Sequence, residues 1–319
     1  MAESTNKITV GVASASKRRS YLGDLFYRLL KEKPLGTFGA AIVLILLLAG
    51  LFAPLLAPYA YDQTYVAERL SPPSGTTILG TDQLGRDVLS RIIYGARISM
   101  IVSLSVSTLS VVISTAIGLI SGFMGHTVDL VIQRFVDAWM CFPGIFLILT
   151  IMAILGPGLW QVIIVLGFLG GITGSRVIRS TVLNIKENVY VDAAKAIGCP
   201  TSRILMRHIL PNITAPIIIM FTTGMGAAII AEASISFLGW GIPPPVPSWG
   251  GMLSTSGRTY MMTAPWLAVW PGLALTFVVY GINMFGDALR DLLDPRLRGG
   301  LGRYSGTKKK MPKQSAPRK

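Results

Sequence analysis

The stretch FGAAIVLILLLAGLFAPLLA, residues 38–57, contains no Asp, Glu, Lys or Arg. About 20 apolar residues suffice for a helix to cross the hydrocarbon core of a bilayer. The polar lead before it, residues 1–34, carries Lys7, Lys17, Arg18, Arg19, Arg28, Lys31 and Lys33. That lead is too long, and the apolar run longer than the roughly 7–15 residues of a cleaved signal. The sequence therefore predicts a retained first span, and the rest of the chain reads the same way. Only 14% of the 319 residues are charged and 51% are hydrophobic, against about 25% charged in soluble domains. With a mean hydropathy of +0.58, the chain has too little polar surface to coat a water-soluble globule.

Further uncharged runs supply the other spans. Residues 58–97 read as a mixed polar loop, and 98–123 as a second span in which Gly118 and Gly122 permit close helix approach. The uncharged run from Ala138 to Ser175 is too long for one span. Gly156-Pro157-Gly158 divides it, giving spans near 130–155 and 159–177. Gly167, Gly170, Gly171 and Gly174 give the fourth span a smooth packing face. A basic segment follows from Arg179 to Asn212, then a fifth span near 213–237. A Pro/Gly-rich loop covers 239–264, a sixth span lies near 266–288, and a basic tail covers 289–319. That tail is expected to be disordered beyond Arg303.

The predicted fold is thus all-α and integral to the membrane, with six transmembrane helices. Six spans put both termini on one side. Seven of the 29 Lys and Arg lie in the N-terminal lead, six between Arg176 and Arg207, and ten from Arg290 onward. The opposite loops hold Arg69, Arg86, Arg91, Arg97 and Arg258. The positive-inside rule then makes both termini and the central segment cytoplasmic. This asymmetry also accounts for the net charge of +14 through membrane lipid, without a nucleic-acid partner. Cys141 and Cys199 read as unpaired thiols, because a disulfide framework needs more cysteines in an extracellular segment.

Charges at membrane depth are costly and usually pair or face water. Arg134 and Asp137 lie three apart on one helix face and are expected to pair locally. The same residues could line a pathway or relay protons. Glu232, late in the fifth span, is expected near the outer interface.

Residues 191–212, VDAAKAIGCPTSRILMRHILPN, are the most informative segment. Tyr190 to Ile197 can form a short helix with Ala193 and Ala194 together on its surface. Gly198 permits the turn that ends it. Pro200 starts a second helix, and Pro211 closes the segment before the fifth span. Such a shape suits docking into another protein's groove, and it suits an ordinary amphipathic interfacial loop equally well.

The segment resembles the cytoplasmic loop of ABC-importer permeases, whose pattern is Glu-Ala-Ala, three residues, Gly, nine residues, a hydrophobic residue, any residue, then Leu-Pro. Here Asp192-Ala193-Ala194, Gly198 and Leu210-Pro211 match, with Asp192 in place of the commoner Glu and His208 at the usual hydrophobic position. LGTDQLGRDVLSRIIYGARIS (79–99), RFVDAWMCFPG (134–144), EASISFLGWGIPPPVPSWGGML (232–253) and GDALRDLLDPRLR (286–298) are similar to the C-type permease of the dipeptide, oligopeptide and nickel importers. The resemblance covers about residues 22–298.

It implies a type I importer permease fold with a cytoplasmic coupling helix between spans four and five. It also implies an N-terminal family region over 22–75 that includes the first span, and a transporter domain over 95–288. Tyr190, Asp192, Ala193, Ala194, Gly198, Leu210 and Pro211 would meet the ATPase. The expected partners are two ATPase subunits that carry ATP and Mg, a second permease subunit and an extracytoplasmic binding protein. The expected location is the cytoplasmic membrane of a prokaryote. The chain has no GxxxxGK[ST] phosphate loop, so no cofactor and no enzymatic activity are expected of it. The substrate expected is a peptide, with nickel, glutathione or an oligosaccharide as alternatives within the class. A secondary transporter or channel would need inverted repeats with coupling-ion groups. An intramembrane enzyme would need a nucleophile with its base or a metal cluster, and neither HExxH nor GxSxG occurs.

Overall fold

The structure is a computed structural model that describes residues 21–293; the stretches 1–20 and 294–319, including the expected disordered tail, lie outside the described residues. Thirteen α-helical segments are present among the described residues, joined by short π and 3-10 turns. In chain order they are α1 (Tyr21–Glu32), α2 (Pro34–Leu51), α3 (Ala53–Leu56), α4 (Val88–Met124), α5 (His126–Met140), α6 (Gly144–Leu155), α7 (Leu159–Lys186), α8 (Val189–Ala196), α9 (Thr201–Ile204), α10 (Thr214–Phe237), α11 (Trp249–Met252), α12 (Arg258–Tyr260) and α13 (Trp266–Leu293). Among the described residues, five stretches are long and apolar enough to cross a bilayer, and a bent pair, α5 with α6, raises the number to as many as six. The protein is an all-α, multi-pass membrane protein.

The bundle is built around α4 and α7, which share its most extensive interface. Glycines make that approach possible. A Cβ added to Gly118 would stand 2.6 Å from Ile178 Cβ, and one on Gly122 would stand 2.9 Å from Val182 Cβ. The fit is reciprocal, since a Cβ on Gly167 or Gly171 would meet Leu109 or Ile113 at 2.6 Å. Each helix thus sets its branched side chains over the other's glycines. This is how helices gain contact in lipid, where no water is displaced. Around this pair, α10 packs on α4 and α13, and α2 packs on α13.

Several boundaries differ from the sequence reading, each for a visible reason. The second span begins at Val88 rather than 98, because Asp87 caps α4 by accepting from the Ser90 backbone N–H at 2.8 Å. At 37 residues and 1.5 Å rise, α4 is about 55 Å long, well beyond the roughly 30 Å hydrocarbon core. Arg91 and Arg97 lie in its first three turns.

The stretch expected as the third span is no straight helix. α5 and α6 meet at 87°, with Pro143 extended at φ −60, ψ 122 just before α6. Pro211 does not close off the segment before the fifth span either. From Thr201 the chain passes through a π turn (Leu205–Ile209) and a 3-10 turn (Leu210–Ile213) directly into α10, and those distorted turns accommodate a residue that lacks an N–H. The helix expected as the sixth span runs on to Leu293. Residues 21–32 of the polar lead form a helix.

At the end of the bundle away from α8, residues 58–87 and 239–264 fold into a cap. Asp82 accepts from Arg86 Nε at 2.7 Å and stands 3.8 Å from Arg91 Nε. Arg91 also donates to Tyr61 O at 2.8 Å. Trp249, fully buried, donates to Ile92 O at 3.1 Å, and a Cβ on Gly95 would strike its ring at 2.7 Å. Within the cap the expected loop contains α11 and α12. Glu232 is wholly buried under it, accepting from the Ser236 hydroxyl at 2.6 Å.

Candidate functional site

The segment from 189 to 213 sits where α4 and α7 end. Asn188 sets the corner: its backbone N–H and its side-chain amide both donate to Ile185 O, at 3.1 and 2.9 Å. Helix α7 therefore gives way to α8 within two residues. At the far end of α8, Gly198 has φ +75. The Gly198 N–H donates to Lys195 O at 2.9 Å and the Cys199 N–H to Ala194 O at 3.0 Å. These two bonds around a left-handed glycine form a Schellman motif. The turn expected from Gly198 is present, and the chain reverses there into α9.

Exposure divides α8 into three faces. Val191 and Ala194 are buried with Ile178 and Val182 of α7, Leu119 and Phe123 of α4, and Ile204, Ile209 and Ile213 of the returning strand of chain. Asp192 and Lys195 pair at 3.0 Å on a second, polar face. Val189, Tyr190, Ala193 and Ile197 are exposed, Val189 and Ile197 at 84% and 80%. At about 100° per residue those four fall within roughly a third of the helix circumference. The sequence expectation of Ala193 and Ala194 on one surface is thus corrected. Only Ala193 faces outward, because Ala194 lies one helical step round, under the cluster from α4 and α7.

The remaining expected residues support this shape. The Tyr190 ring lies 6.5 Å from that of His208. Asn212 donates to His208 O at 2.6 Å and approaches Tyr190 Oη at 3.4 Å. Leu210 packs partly buried beneath the loop and Pro211 is exposed. An exposed apolar stripe, on a helix fixed at both ends by backbone hydrogen bonds, can dock into a groove and transmit force without unwinding.

The charges behind the loop are arranged differently from the sequence reading. Arg134 and Asp137 do approach, at 3.4 Å, yet Asp137 also pairs with Arg176 of α7. A second pair, unforeseen, joins Asp129 of α5 to Arg179 of α7, with N–O distances of 2.6 and 2.5 Å. The signal lay in the sequence as a carboxylate in the first turn of one helix and an arginine near the end of a neighbour. Only the antiparallel packing of α5 and α7 brings them together. The apolar stripe of Val189 and Ile197 was also missed, although its helical spacing is legible.

Between α4, α6, α7 and α10 lies an open hollow of ≈ 320 Å³, lined by Ser107, Ser110, Ile148, Gly170, Thr173 and Gly224 among others. A second cavity, ≈ 310 Å³, lies in the cap at the other end against Gln83, Arg91, Ser236 and Thr255.

An all-α bundle of several apolar helices, with a helical loop exposed at one end and an open hollow among the long helices, defines a multi-pass membrane protein. The chain matches the family model for the binding-protein-dependent transport system inner membrane component over residues 114–299. It matches that for the N-terminal TM domain of oligopeptide transport permease C over residues 20–73. It is 41% identical over 272 residues to the dipeptide transport system permease protein of Alkalihalophilus pseudofirmus, covering 85% of this chain and 89% of the relative. To the oligopeptide transport system permease protein of Bacillus subtilis it is 36% identical, covering 89% and 92%. It is also 36% identical to the glutathione transport system permease protein of Pectobacterium atrosepticum, covering 86% and 91%. The chain belongs to the family of binding-protein-dependent transport system inner membrane components.

Proposed function

We propose that this chain is the C-type permease subunit of an ATP-driven importer that carries di- and oligopeptides across the cytoplasmic membrane of a prokaryote. The observation that carries the reading is identity near 40% over more than four-fifths of the chain with a dipeptide permease. The docking loop agrees with it. In this reading α5 and α6 together form a bent third span, which gives six spans in a type I arrangement with both termini cytoplasmic. Residues 22–75 are the N-terminal unit, 95–288 the transporter domain and 289–319 a cytoplasmic tail.

Helix α8 is the coupling helix. Val189, Tyr190, Ala193 and Ile197 meet the ATPase groove, Asp192 sits at its rim, and Ala194 and Leu210 seat the helix on its own bundle. Gly198 and Pro211 shape the return. Two ATPase subunits, a second permease and an extracytoplasmic binding protein complete the assembly. ATP and Mg sit on the ATPases, and closure of that pair moves α8 and turns the hollow outward. Hydrolysis turns it back. The energy passes through contacts of this loop.

The test is uptake by the complete transporter in proteoliposomes, with labelled dipeptide, tetrapeptide and glutathione compared at equal concentration. Peptide accumulation that needs both ATP and the binding protein is expected. Accumulation of glutathione alone would move the substrate to that alternative. Accumulation without ATP would instead indicate a secondary transporter.

A further inference from the structure

Helix α5 is tied to its neighbours by polar side chains in its first half and packs near its end through Trp139, whose ring lies 6.1 Å from that of Phe168 of α7. Of its 15 residues only Val136 is buried. Asp129, in its first turn, accepts two hydrogen bonds from Arg179 and one from the Ser121 hydroxyl of α4. Gln133 Nε2 donates to that same hydroxyl at 2.9 Å. The Arg179 and Asp129 side chains are only 29% and 17% exposed. A two-pronged guanidinium–carboxylate pair fixes both distance and angle. About two turns further along, Asp137 pairs with Arg176, and Arg134 of its own helix stands 3.4 Å away. These groups are 42% to 75% exposed, and ion pairs that open to solvent exchange partners at little cost.

Both arginines belong to the C-terminal half of α7, which turns directly into α8. That part of α7, the end of α4 and the 189–213 loop share one apolar cluster, so they move as a body. Three residues beyond Asp137, α5 ends and the chain turns 87° into α6. Gly144 and Ile148 of α6 line the hollow.

We infer that α5 is the arm that carries motion of the α8 loop to the hollow, with Asp129–Arg179 as its fixed pin. Asp137 is the second tie, and Arg134 is its alternative partner when the α5–α6 corner swings. Asp129, Arg179, Asp137 and Arg176 are positioning residues: they touch no substrate and set where α6 stands. The inference rests on the reading of α8 as the driven element.

The experiment uses the complete transporter in proteoliposomes, with uptake and ATP hydrolysis measured on the same preparation. The variants are Asp129→Asn, Asp137→Asn and the exchange Asp129→Arg with Arg179→Asp. Uptake per ATP hydrolysed is expected to fall between about two- and thirtyfold in Asp129→Asn, and by less in Asp137→Asn, while hydrolysis continues. The exchange is expected to recover most of the loss. If Asp129→Asn fails to assemble, Asp137→Asn decides: reduced coupling supports the arm and wild-type coupling overturns it. Wild-type uptake per ATP in an assembled Asp129→Asn complex overturns it, as does an exchange no better coupled than Asp129→Asn. Failure of the importer reading is distinguishable, because it shows in the unsubstituted complex as uptake that ignores ATP.

Discussion

Gly198 holds φ +75 with no heavy atom within 4 Å of where a Cβ would stand. A substitution there meets open space, so its whole cost is conformational. For an ordinary L residue the left-handed region costs about 1–2 kcal/mol, Asn pays less because it tolerates that region, and a β-branched side chain fits it worst. Uptake per ATP should therefore fall in the order Gly198→Asn, Gly198→Ala, Gly198→Val, with membrane insertion retained. A Gly198→Val transporter as well coupled as the unsubstituted one would show that the turn at the end of α8 has no part in coupling. The turn was legible in the sequence because its chemistry is local: one residue type at one spacing. Ala194 was misread for the opposite reason. Its side was decided by the way α8 folds back on Ile178 and Val182 of α7, and not by its chain neighbours.

Among the elements, the α4–α7 pair should be the most sensitive to added volume. A Cβ at Gly171 already falls 2.6 Å from Ile113 Cβ, and Val adds two methyls to it. Overpacking of this kind typically costs about 1–3 kcal/mol. Gly171→Val should lower the melting temperature of the detergent-purified complex, while Gly75→Ala, which meets nothing within 4 Å, should leave it unchanged. Equal melting temperatures for the two variants would contradict the close-packed interface. The glycine faces were readable because small residues recur at helical spacing. The α5–α6 corner was not, since the run from Ala138 to Ser175 is uniformly uncharged and hydropathy reports depth, not direction. At Pro211 a sound local rule failed. Proline disfavours a regular helix, yet a π turn followed by a 3-10 turn carries the chain through it.

For the whole molecule, charge asymmetry and span number carry the proposed orientation. With Cys141→Ser and Cys199→Ser as background, a membrane-impermeant thiol reagent applied from outside should label Thr259→Cys and spare Lys195→Cys; permeabilised cells should label both. Reversed labelling would invert the proposed topology. Composition made the membrane class and the basic face plain. It could not place Asp129 against Arg179 or Asp137 against Arg176, because which charges meet depends on the antiparallel packing of two helices.

Helix α8 is the proposed surface that meets the motor, and photocrosslinking in the assembled complex tests this most directly. A photoreactive residue in place of Ala193, on the exposed stripe, should form an adduct with the ATPase subunit. The same group in place of Thr259, in the cap at the other end, should form none. Absence of an ATPase adduct from position 193, or an equal yield from position 259, would contradict the assignment of residues 189–213 as the coupling loop.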